Sequence, residues 1–219
     1  MARRDKPLVL MENILEQRIK NWLEIKPIGN VNDMTTWPFN GYVSMPDLPK
    51  ILNSAFPYSN NLVGAEIGVS RGEGSTYLLH NCNKVGCLYA IDAWKEYDDN
   101  CGDGFFPQIA LDHMKSLTLI NTKQFGDRIK LVEKDSVDAA KDFADESLDF
   151  VFIDADHSYE GVLRDMEAYW SKVKPGGLFS GHDWWHEPLQ KGVFEFLEKH
   201  ASKDNLFFFR DTCWGIIKQ

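Results

Sequence analysis

Short apolar runs alternate with amphipathic segments along the chain from Leu62 onward. Five runs have the length and residue types of buried strands: Leu62–Ile67, Gly86–Ile91, Ile129–Val132, Leu148–Ile153 and Gly177–Ser180. The spacing of apolar residues between them predicts helices that begin near Glu73, Phe106, Ser136 and Tyr159, with another across Pro188–His200. Strands that alternate with helices in this way are typical of βαβ units and a parallel sheet.

The pattern changes near the C-terminus. Two strand-like runs, Leu206–Arg210 and Trp214–Lys218, are separated only by Asp211-Thr212-Cys213, which predicts an antiparallel hairpin. Lys174-Pro175-Gly176-Gly177 is interpreted as a helix stop directly before the fifth strand. We therefore predict an α/β fold with a Rossmann-like, doubly wound, seven-stranded sheet. The sheet is mostly parallel with a C-terminal antiparallel hairpin, and helices cover both faces.

The first 61 residues do not follow this repeat. Leu10–Ile25 has helical spacing, Thr36–Met45 is an aromatic loop, and Asp47–Phe56 predicts a second helix. We interpret residues 1–61 as a helical and aromatic extension, a lid or substrate-binding segment, and residues 62–219 as the main domain. The aromatic side chains of the extension could seal a homodimer as easily as a pocket, whereas Trp22 is assigned to packing.

Charge and composition exclude several classes of partner. Lys and Arg number 24 against 33 Asp and Glu, which gives a net charge of −9. Such a chain repels nucleic acid and anionic membrane surfaces. No apolar run is long enough for a signal-peptide core or a membrane span, and the four cysteines form no C-x-x-C pair. We expect a cytoplasmic protein without nucleic-acid or membrane partners.

The glycine-rich segment after the first strand is the strongest candidate for a cofactor loop. An acidic residue at the strand end is followed by glycines that let the backbone pass close to a bulky ligand. A purely structural turn between strand and helix is the alternative. The candidate cofactor-binding residues here are Glu66, Gly68, Ser70, Gly72, Gly74 and Ser75.

The next two strand ends supply further candidates, because ligands of open α/β sheets bind beyond the carboxyl ends of the strands. Asp92 is placed to accept hydrogen bonds from a ribose diol, and Ala93 and Trp94 follow it. After the third strand, Asp135 and Ser136 could meet the amino edge of an adenine or simply cap the next helix.

Ionisable and aromatic residues gather after the fourth and fifth strands. Asp154-Ala155-Asp156-His157 follows the fourth strand, and His182-Asp183-Trp184-Trp185-His186 follows the fifth. Asp154 is also predicted to contact the cofactor. Capping of two neighbouring strand ends is the structural alternative, but the clustering of acids with histidines favours a functional site.

These motifs together resemble the class I S-adenosylmethionine-dependent methyltransferases, over about residues 60–219. Glu66-x-Gly68-x-x-x-Gly72-x-Gly74 matches their first motif, Asp92 their ribose-binding acid, and Lys174-Pro175-Gly176-Gly177 the turn before their fifth strand. The segments that begin at Asp154 and Gly181 are similar to the small-molecule O-methyltransferase branch, which includes caffeoyl-coenzyme A, catechol and macrocin methyltransferases. The resemblance implies S-adenosylmethionine as cofactor.

In that branch, an acid after the fourth strand and an acidic pair after the fifth hold a divalent metal that binds the acceptor hydroxyl. The resemblance places Asp154 and Asp183 on the first two positions, and Trp184 stands on the third. Either His182 or His186 could complete a set for Mg²⁺, Mn²⁺ or a softer ion.

Methyl transfer to an oxygen requires alignment of the nucleophile and help with its deprotonation. His157 is the predicted base, beside a metal on Asp154, Asp183 and His182. A metal-free version uses His157 or His182 as the base, with an aspartate to orient its ring.

The leading hypothesis is therefore a methyltransferase that acts on the hydroxyl of a small molecule. An NAD(P)-dependent oxidoreductase is the alternative enzyme, disfavoured because the glycine spacing is G-x-x-x-G-x-G and no Tyr-x-x-x-Lys pair follows. A non-catalytic cofactor-binding module is the third hypothesis.

Overall fold

Seven strands form one sheet at the centre of the protein, in the spatial order β3-β2-β1-β4-β5-β7-β6. The computed structural model describes residues 17, 19–29, 33, 44–96, 106–209 and 212–219. The pairs among β1 to β5 are parallel, whereas β7 lies antiparallel to both β5 and β6. This arrangement confirms the predicted doubly wound sheet with its C-terminal hairpin. The strands are β1 (Leu62–Ile67), β2 (Val85–Asp92), β3 (Ile129–Glu133), β4 (Leu148–Ile153), β5 (Val173–Gly181), β6 (Leu206–Phe209) and β7 (Cys213–Ile217).

Helices cover both faces of the sheet, as predicted. On one face, α1, α2 and α3 contribute buried apolar residues to two clusters, and on the other face α4, α5 and α6 share a larger cluster. Short 3₁₀ helices occupy Lys123–Arg128 and Lys203–Asn205. The α-helices are α1 (Leu48–Ala55), α2 (Glu73–Asn81), α3 (Gln108–Thr122), α4 (Ser136–Ala140), α5 (Tyr159–Trp170) and α6 (Glu187–His200).

Strand β4 shows why the apolar runs are continuous. Phe150 and Phe152 enter the core on one face, and Val151 and Ile153 enter the core on the other. A strand with helices on both sides buries successive side chains in opposite directions, so that its fully buried positions are apolar on both faces.

The segment Lys174-Pro175-Gly176-Gly177 is not the helix stop that the sequence predicts. Helix α5 already ends at Trp170, and the segment lies within β5. Leu148 pairs with Val173 but Phe150 pairs with Leu178, so extra residues of β5 bulge out of the ladder. Gly176 adopts a φ of 77° in this bulge, a conformation that glycine tolerates.

The N-terminal part of the chain packs on the same sheet. Met45, Leu48 and Leu52 are fully buried, and α1 matches the predicted second helix. Residues 19–23 are helical, within the predicted Leu10–Ile25 helix. The remainder of that helix, most of the Thr36–Met45 loop and residues 97–105 lie outside the described residues. No helix in the described ranges combines the length and apolar character that crossing a bilayer requires.

Candidate active site and cofactor cavity

A cavity of about 820 Å³ opens at the carboxyl ends of the strands. It lies beside the point where the strand order reverses, with β2 on one side of β1 and β4 on the other. Crevices at such switch points are the usual ligand sites of open α/β sheets. The predicted cofactor residues that line the cavity are Gly68, Ser70, Asp92, Ala93, Trp94, Asp135, Ser136 and Asp154.

Asp92 organises the loop after β1. One carboxylate oxygen accepts hydrogen bonds from the backbone N–H groups of Val69 and Ser70, both at 2.9 Å, and the other accepts from Trp94 N–H at 2.8 Å. Burial raises the pKa of Asp92, and these three donors oppose the rise. A carboxylate has room for further hydrogen bonds, so that the ribose contact stays a prediction alongside this structural role.

The backbone at this loop is held in an uncommon conformation. Ser70 and Trp94 have positive φ angles of 53° and 41°. The Trp94 indole N–H donates to the Ser70 carbonyl at 2.8 Å, and the Thr118 hydroxyl donates to the same carbonyl at 2.9 Å. Left-handed conformations are unfavourable for residues with a side chain, and these hydrogen bonds stabilise them here.

Gly68 shows why the loop needs glycine. Its φ is 87°, and a Cβ at this position would lie 2.1 Å from the Asp154 carbonyl oxygen. The close approach is therefore between two strand ends of the protein itself, the turn after β1 and the turn after β4. A side chain at residue 68 would force these turns apart.

The other predicted residues of the loop face the protein interior. Glu66 is buried and accepts a hydrogen bond from the Ser75 hydroxyl. A Cβ at Gly74 would lie 2.6 Å from a Glu66 carboxylate oxygen, and one at Gly72 would press against Thr118. None of these four residues, Glu66, Gly72, Gly74 and Ser75, lines the cavity, and their contact with a cofactor stays a prediction.

The turn after β3 forms another wall. Asp135 caps α4 by accepting from Val137 N–H at 2.9 Å, so that the capping alternative is correct for its side chain. The Ser136 hydroxyl donates to Asp165 at 2.5 Å. Both residues nevertheless line the cavity, and capping does not remove them from ligand reach.

Four side chains from the ends of β4 and β5 form what we call the acid–histidine cluster: Asp154, His157, His182 and Asp183. His157 Nε2 lies 2.8 Å from an Asp183 carboxylate oxygen and 3.5 Å from Asp154. His182 Nδ1 lies 3.1 Å from the same Asp183 oxygen and 3.5 Å from Asp154. The structure thus brings together all the residues predicted for catalysis and metal binding. Asp183 has a positive φ of 54°.

Mutual attraction dominates the protonation of this cluster. Burial alone would lower the pKa of His182, but hydrogen bonds and charge from Asp154 and Asp183 raise it to about 9. Burial alone would likewise raise the pKa of both aspartates, but the two histidines lower it. Without a metal, His182 is therefore protonated at neutral pH and is a poor base.

Trp184 and His186, which follow Asp183, lie outside the acid–histidine cluster. Trp184 packs against Phe194 and Phe208, with ring centroids 5.5 and 4.7 Å away. His186 Nδ1 is 3.0 Å from the His157 carbonyl oxygen, and it does not belong to the group of potential ligands. Of the two histidines considered for the metal, it is His182 that lies beside the aspartates.

The geometry of the cluster suits a small cation. One ligand atom each from Asp154, His182 and Asp183 all lie within 4.8 Å of one another. Ligand bonds of about 2.0–2.3 Å place donor atoms of one metal no farther apart than this. A mixed set of carboxylate and imidazole favours ions such as Mn²⁺, Fe²⁺ or Zn²⁺ over Mg²⁺.

Trp22 packs against an apolar cluster, as predicted, and in addition forms a wall of the cavity, which the sequence did not predict. It lines the cavity together with Phe106, and their ring centroids are 5.0 Å apart. The segment that carries Trp22 is anchored on α3, since Ile28 N–H donates to Asn121 at 2.8 Å and His113 contacts the Ile25 carbonyl at 3.0 Å. No local pattern around Trp22 identifies this wall, because it depends on a contact between distant parts of the chain.

The charge of the lining separates the cofactor candidates. Carboxylates outnumber Lys and Arg in the cavity wall, which favours a cationic ligand such as a sulfonium and opposes the pyrophosphate of a dinucleotide. The acidic lining residues are Asp92, Glu96, Glu133, Asp135, Asp138, Asp154 and Asp156, and the basic ones are Lys95, Lys134 and Arg164.

Comparisons with known proteins agree with this geometry. The family profile described as a methyltransferase domain matches residues 65–184, more than half of the chain. A search of curated proteins found no significant match.

Solved structures with the same fold include several methyltransferases. The O-methyltransferase NovP superposes with a TM-score of 0.61 at 14% identity, over 93% of this chain and 99% of NovP. A precorrin-6y C5,15-methyltransferase from Geobacter metallireducens gives a TM-score of 0.52 at 20% identity, over 78% of this chain and 86% of its own. At such identities, the likeness establishes the fold, and the family match carries the activity. The chain therefore belongs to the methyltransferase-domain family, and its methyl donor is S-adenosylmethionine.

Proposed function

We propose that the protein transfers a methyl group from S-adenosylmethionine to a hydroxyl group of a small molecule, with a divalent metal at Asp154, His182 and Asp183. One observation carries this proposal. Asp154 and His157 belong both to the acid–histidine cluster and to the wall of the cofactor cavity. The groups that would activate an acceptor therefore adjoin the space that would hold the methyl donor.

The cluster divides naturally into ligands and a base. His182 is buried and lies between both aspartates, which suits a ligand. His157 is more exposed, with 20% of its side chain accessible, and Asp183 lies 2.8 Å from its Nε2. A carboxylate at that distance orients the imidazole ring and stabilises its protonated form. His157 is the residue that takes the acceptor proton.

A divalent metal, when bound, acidifies the acceptor hydroxyl as a Lewis acid. Binding of the metal also requires His182 to lose its proton. The chain's own residues hold the ligand atoms in place, because the backbone N–H of His182 donates to the Ile153 carbonyl at 3.0 Å and thereby ties the two strand ends together. In this protein His182 takes the ligand role that Trp184 cannot fill.

The acceptor is proposed to be small and to carry a hydroxyl group, such as a sugar, a phenol or a polyketide. The excess of acidic residues in the chain opposes nucleic acid as the acceptor. Cytoplasmic location and the homodimer remain predictions.

Calorimetric titration with S-adenosylhomocysteine, with and without Mn²⁺, tests the cofactor first. Turnover on a panel of hydroxyl acceptors is then followed by release of S-adenosylhomocysteine. We expect the His157→Gln variant to bind S-adenosylhomocysteine as the wild type does. Its rate of methyl transfer should fall by about a hundredfold or more, the usual size of the effect of losing a general base.

His200→Gln is the matched control, because His200 is a surface histidine paired with Glu167 at 2.8 Å. Equal turnover of His157→Gln and wild type would remove His157 from the reaction. Tight binding of S-adenosylhomocysteine without turnover on any acceptor would favour the non-catalytic module.

A further inference from the structure

A carboxyl group is buried behind the cavity in a place where its presence needs an explanation. Asp165 of α5 is 0% exposed. One of its oxygens accepts from the Ser136 hydroxyl at 2.5 Å and from Arg164 Nε at 3.3 Å. Its other oxygen is buried and has no hydrogen-bond partner among the described residues. Burial raises the pKa of Asp165 to about 6, and an apolar residue here would avoid that penalty.

The partner of Asp165 faces the ligand space. Ser136 is the first residue of α4, directly after the turn that follows β3, and it lines the cavity. The Asp135 cap fixes the backbone on one side of Ser136, and Asp165 fixes its hydroxyl from behind. Asp165 itself does not line the cavity, and any effect on a ligand must pass through Ser136.

The hydrogen bond to Asp165 determines whether the Ser136 hydroxyl donates or accepts toward the cavity. A serine hydroxyl has one proton to donate and two lone pairs that accept. The proton is directed to Asp165, and Arg164 Nη2 reaches the oxygen at 3.5 Å. One lone pair is left for a donor in the cavity. If Asp165 becomes protonated, the proton goes to the oxygen without a partner, and Ser136 keeps its direction.

We propose that Asp165 is a positioning residue that makes Ser136 a hydrogen-bond acceptor and thereby selects an adenine over a 6-oxo purine in the bound nucleoside. Adenine donates a hydrogen bond through its exocyclic amino group, whereas a 6-oxo purine presents an acceptor at the same place. Two acceptors that face each other across a pocket are unfavourable. This inference rests on the proposed use of the cavity for S-adenosylmethionine.

The test compares two ligands that differ at this one position, S-adenosylhomocysteine and its deaminated analogue S-inosylhomocysteine, by calorimetry. We expect the wild type to prefer the adenine form by about tenfold, the size of one well-placed hydrogen bond. Ser136→Ala and Asp165→Ala should reduce the preference to about twofold or less. Asp165→Asn should keep it, because its amide carbonyl still accepts from Ser136. Glu167→Gln, an exposed position on the same helix, is the control and should match wild type.

The outcomes distinguish failure of the proposed function from failure of this inference. If neither ligand binds the wild type, the proposed function fails together with this inference. If both bind the wild type equally well, the function stands and the inference is overturned. If Asp165→Ala lowers the melting temperature but leaves the preference intact, Asp165 has only a structural role. Should Asp165→Ala fail to fold, Asp165→Leu takes its place, because leucine fills the same space without an acceptor; it must lose the preference that Asp165→Asn keeps, and an unchanged preference in Asp165→Leu overturns the inference.

Discussion

Glu66, which is buried, and Asp154, which is partly buried, are acidic residues at the ends of neighbouring parallel strands, yet their surroundings shift their pKa values in opposite directions. Asp154 N–H donates to the Ile67 carbonyl at 2.7 Å, so that the two strand ends are directly joined. Burial raises the pKa of Glu66 well above its usual range, and nearby acids raise it further, while the hydrogen bond from the neutral Ser75 opposes the rise only in part. Burial also acts on Asp154, but His157 and His182 outweigh it and lower the pKa.

This difference separates a structural acid from a chemical one. The raised pKa of Glu66 favours its neutral form, and its hydrogen bond with Ser75 ties β1 to the first turn of α2. Asp154 stays ionised and can share a cation. Burial raises the pKa of both carboxyl groups, so that the difference between Glu66 and Asp154 comes from the charge of their partners.

Removal of charge from the acid–histidine cluster gives the largest expected effect. Asp154→Asn and Asp183→Asn should each lower Mn²⁺ affinity by about a thousandfold, more than the 10- to 100-fold that loss of an outer partner causes. Glu66→Gln should leave Mn²⁺ affinity unchanged, since Glu66 does not belong to the group of potential metal ligands. Calorimetric titration with Mn²⁺ measures all three variants. Equal losses in Glu66→Gln and Asp154→Asn would break the comparison.

The pH dependence of stability provides the second test. The folded pKa of His182, about 9, lies above its ordinary value of 6.5. The stabilisation is therefore complete below pH 6.5 and is lost as the pH rises through 9. It amounts to up to about 3 kcal/mol in the metal-free protein. Urea unfolding between pH 6 and 10 measures the loss, and an NMR titration of the ring assigns it. A stability that rises with pH over this range would contradict the assignment.

The smallest effect is expected at Glu66. Glu66→Gln should change the free energy of unfolding at pH 7 by less than about 1 kcal/mol, because the amide keeps an acceptor for Ser75. Ser75→Ala, which leaves a buried carboxyl without its partner, should cost about 1–3 kcal/mol. Urea unfolding at constant pH compares the two. A larger loss in Glu66→Gln than in Ser75→Ala would indicate that Glu66 is ionised.

The sequence predicts the sheet well because the information is local. The apolar runs of β1 and β4 and the helix starts at Glu73 and Tyr159 agree with the structure. The bulge within β5 is different, since the register between β4 and β5 decides it, and no local pattern contains that register.

The candidate site divides in the same way. Residues 154, 157, 182 and 183 follow two neighbouring parallel strands, so that topology alone brings them together. The wall formed by Trp22 depends on anchoring of its segment to Asn121, 93 positions from Ile28 in the chain. The choice of His182 over His186 depends on side-chain directions on either side of Asp183, which has a positive φ. Neither can be obtained from spacing.

The positive φ angles of Ser70, Trp94 and Asp183 have a consequence for ligand affinity. Because the folded protein already holds these turns in unfavourable conformations, a ligand does not have to order them when it binds. The entropy loss of loop ordering, about 1–2 kcal/mol for each residue fixed, is part of the free energy of folding. It therefore does not weaken ligand binding. Affinity at this site is thus set in part by chain segments that become rigid before any ligand arrives.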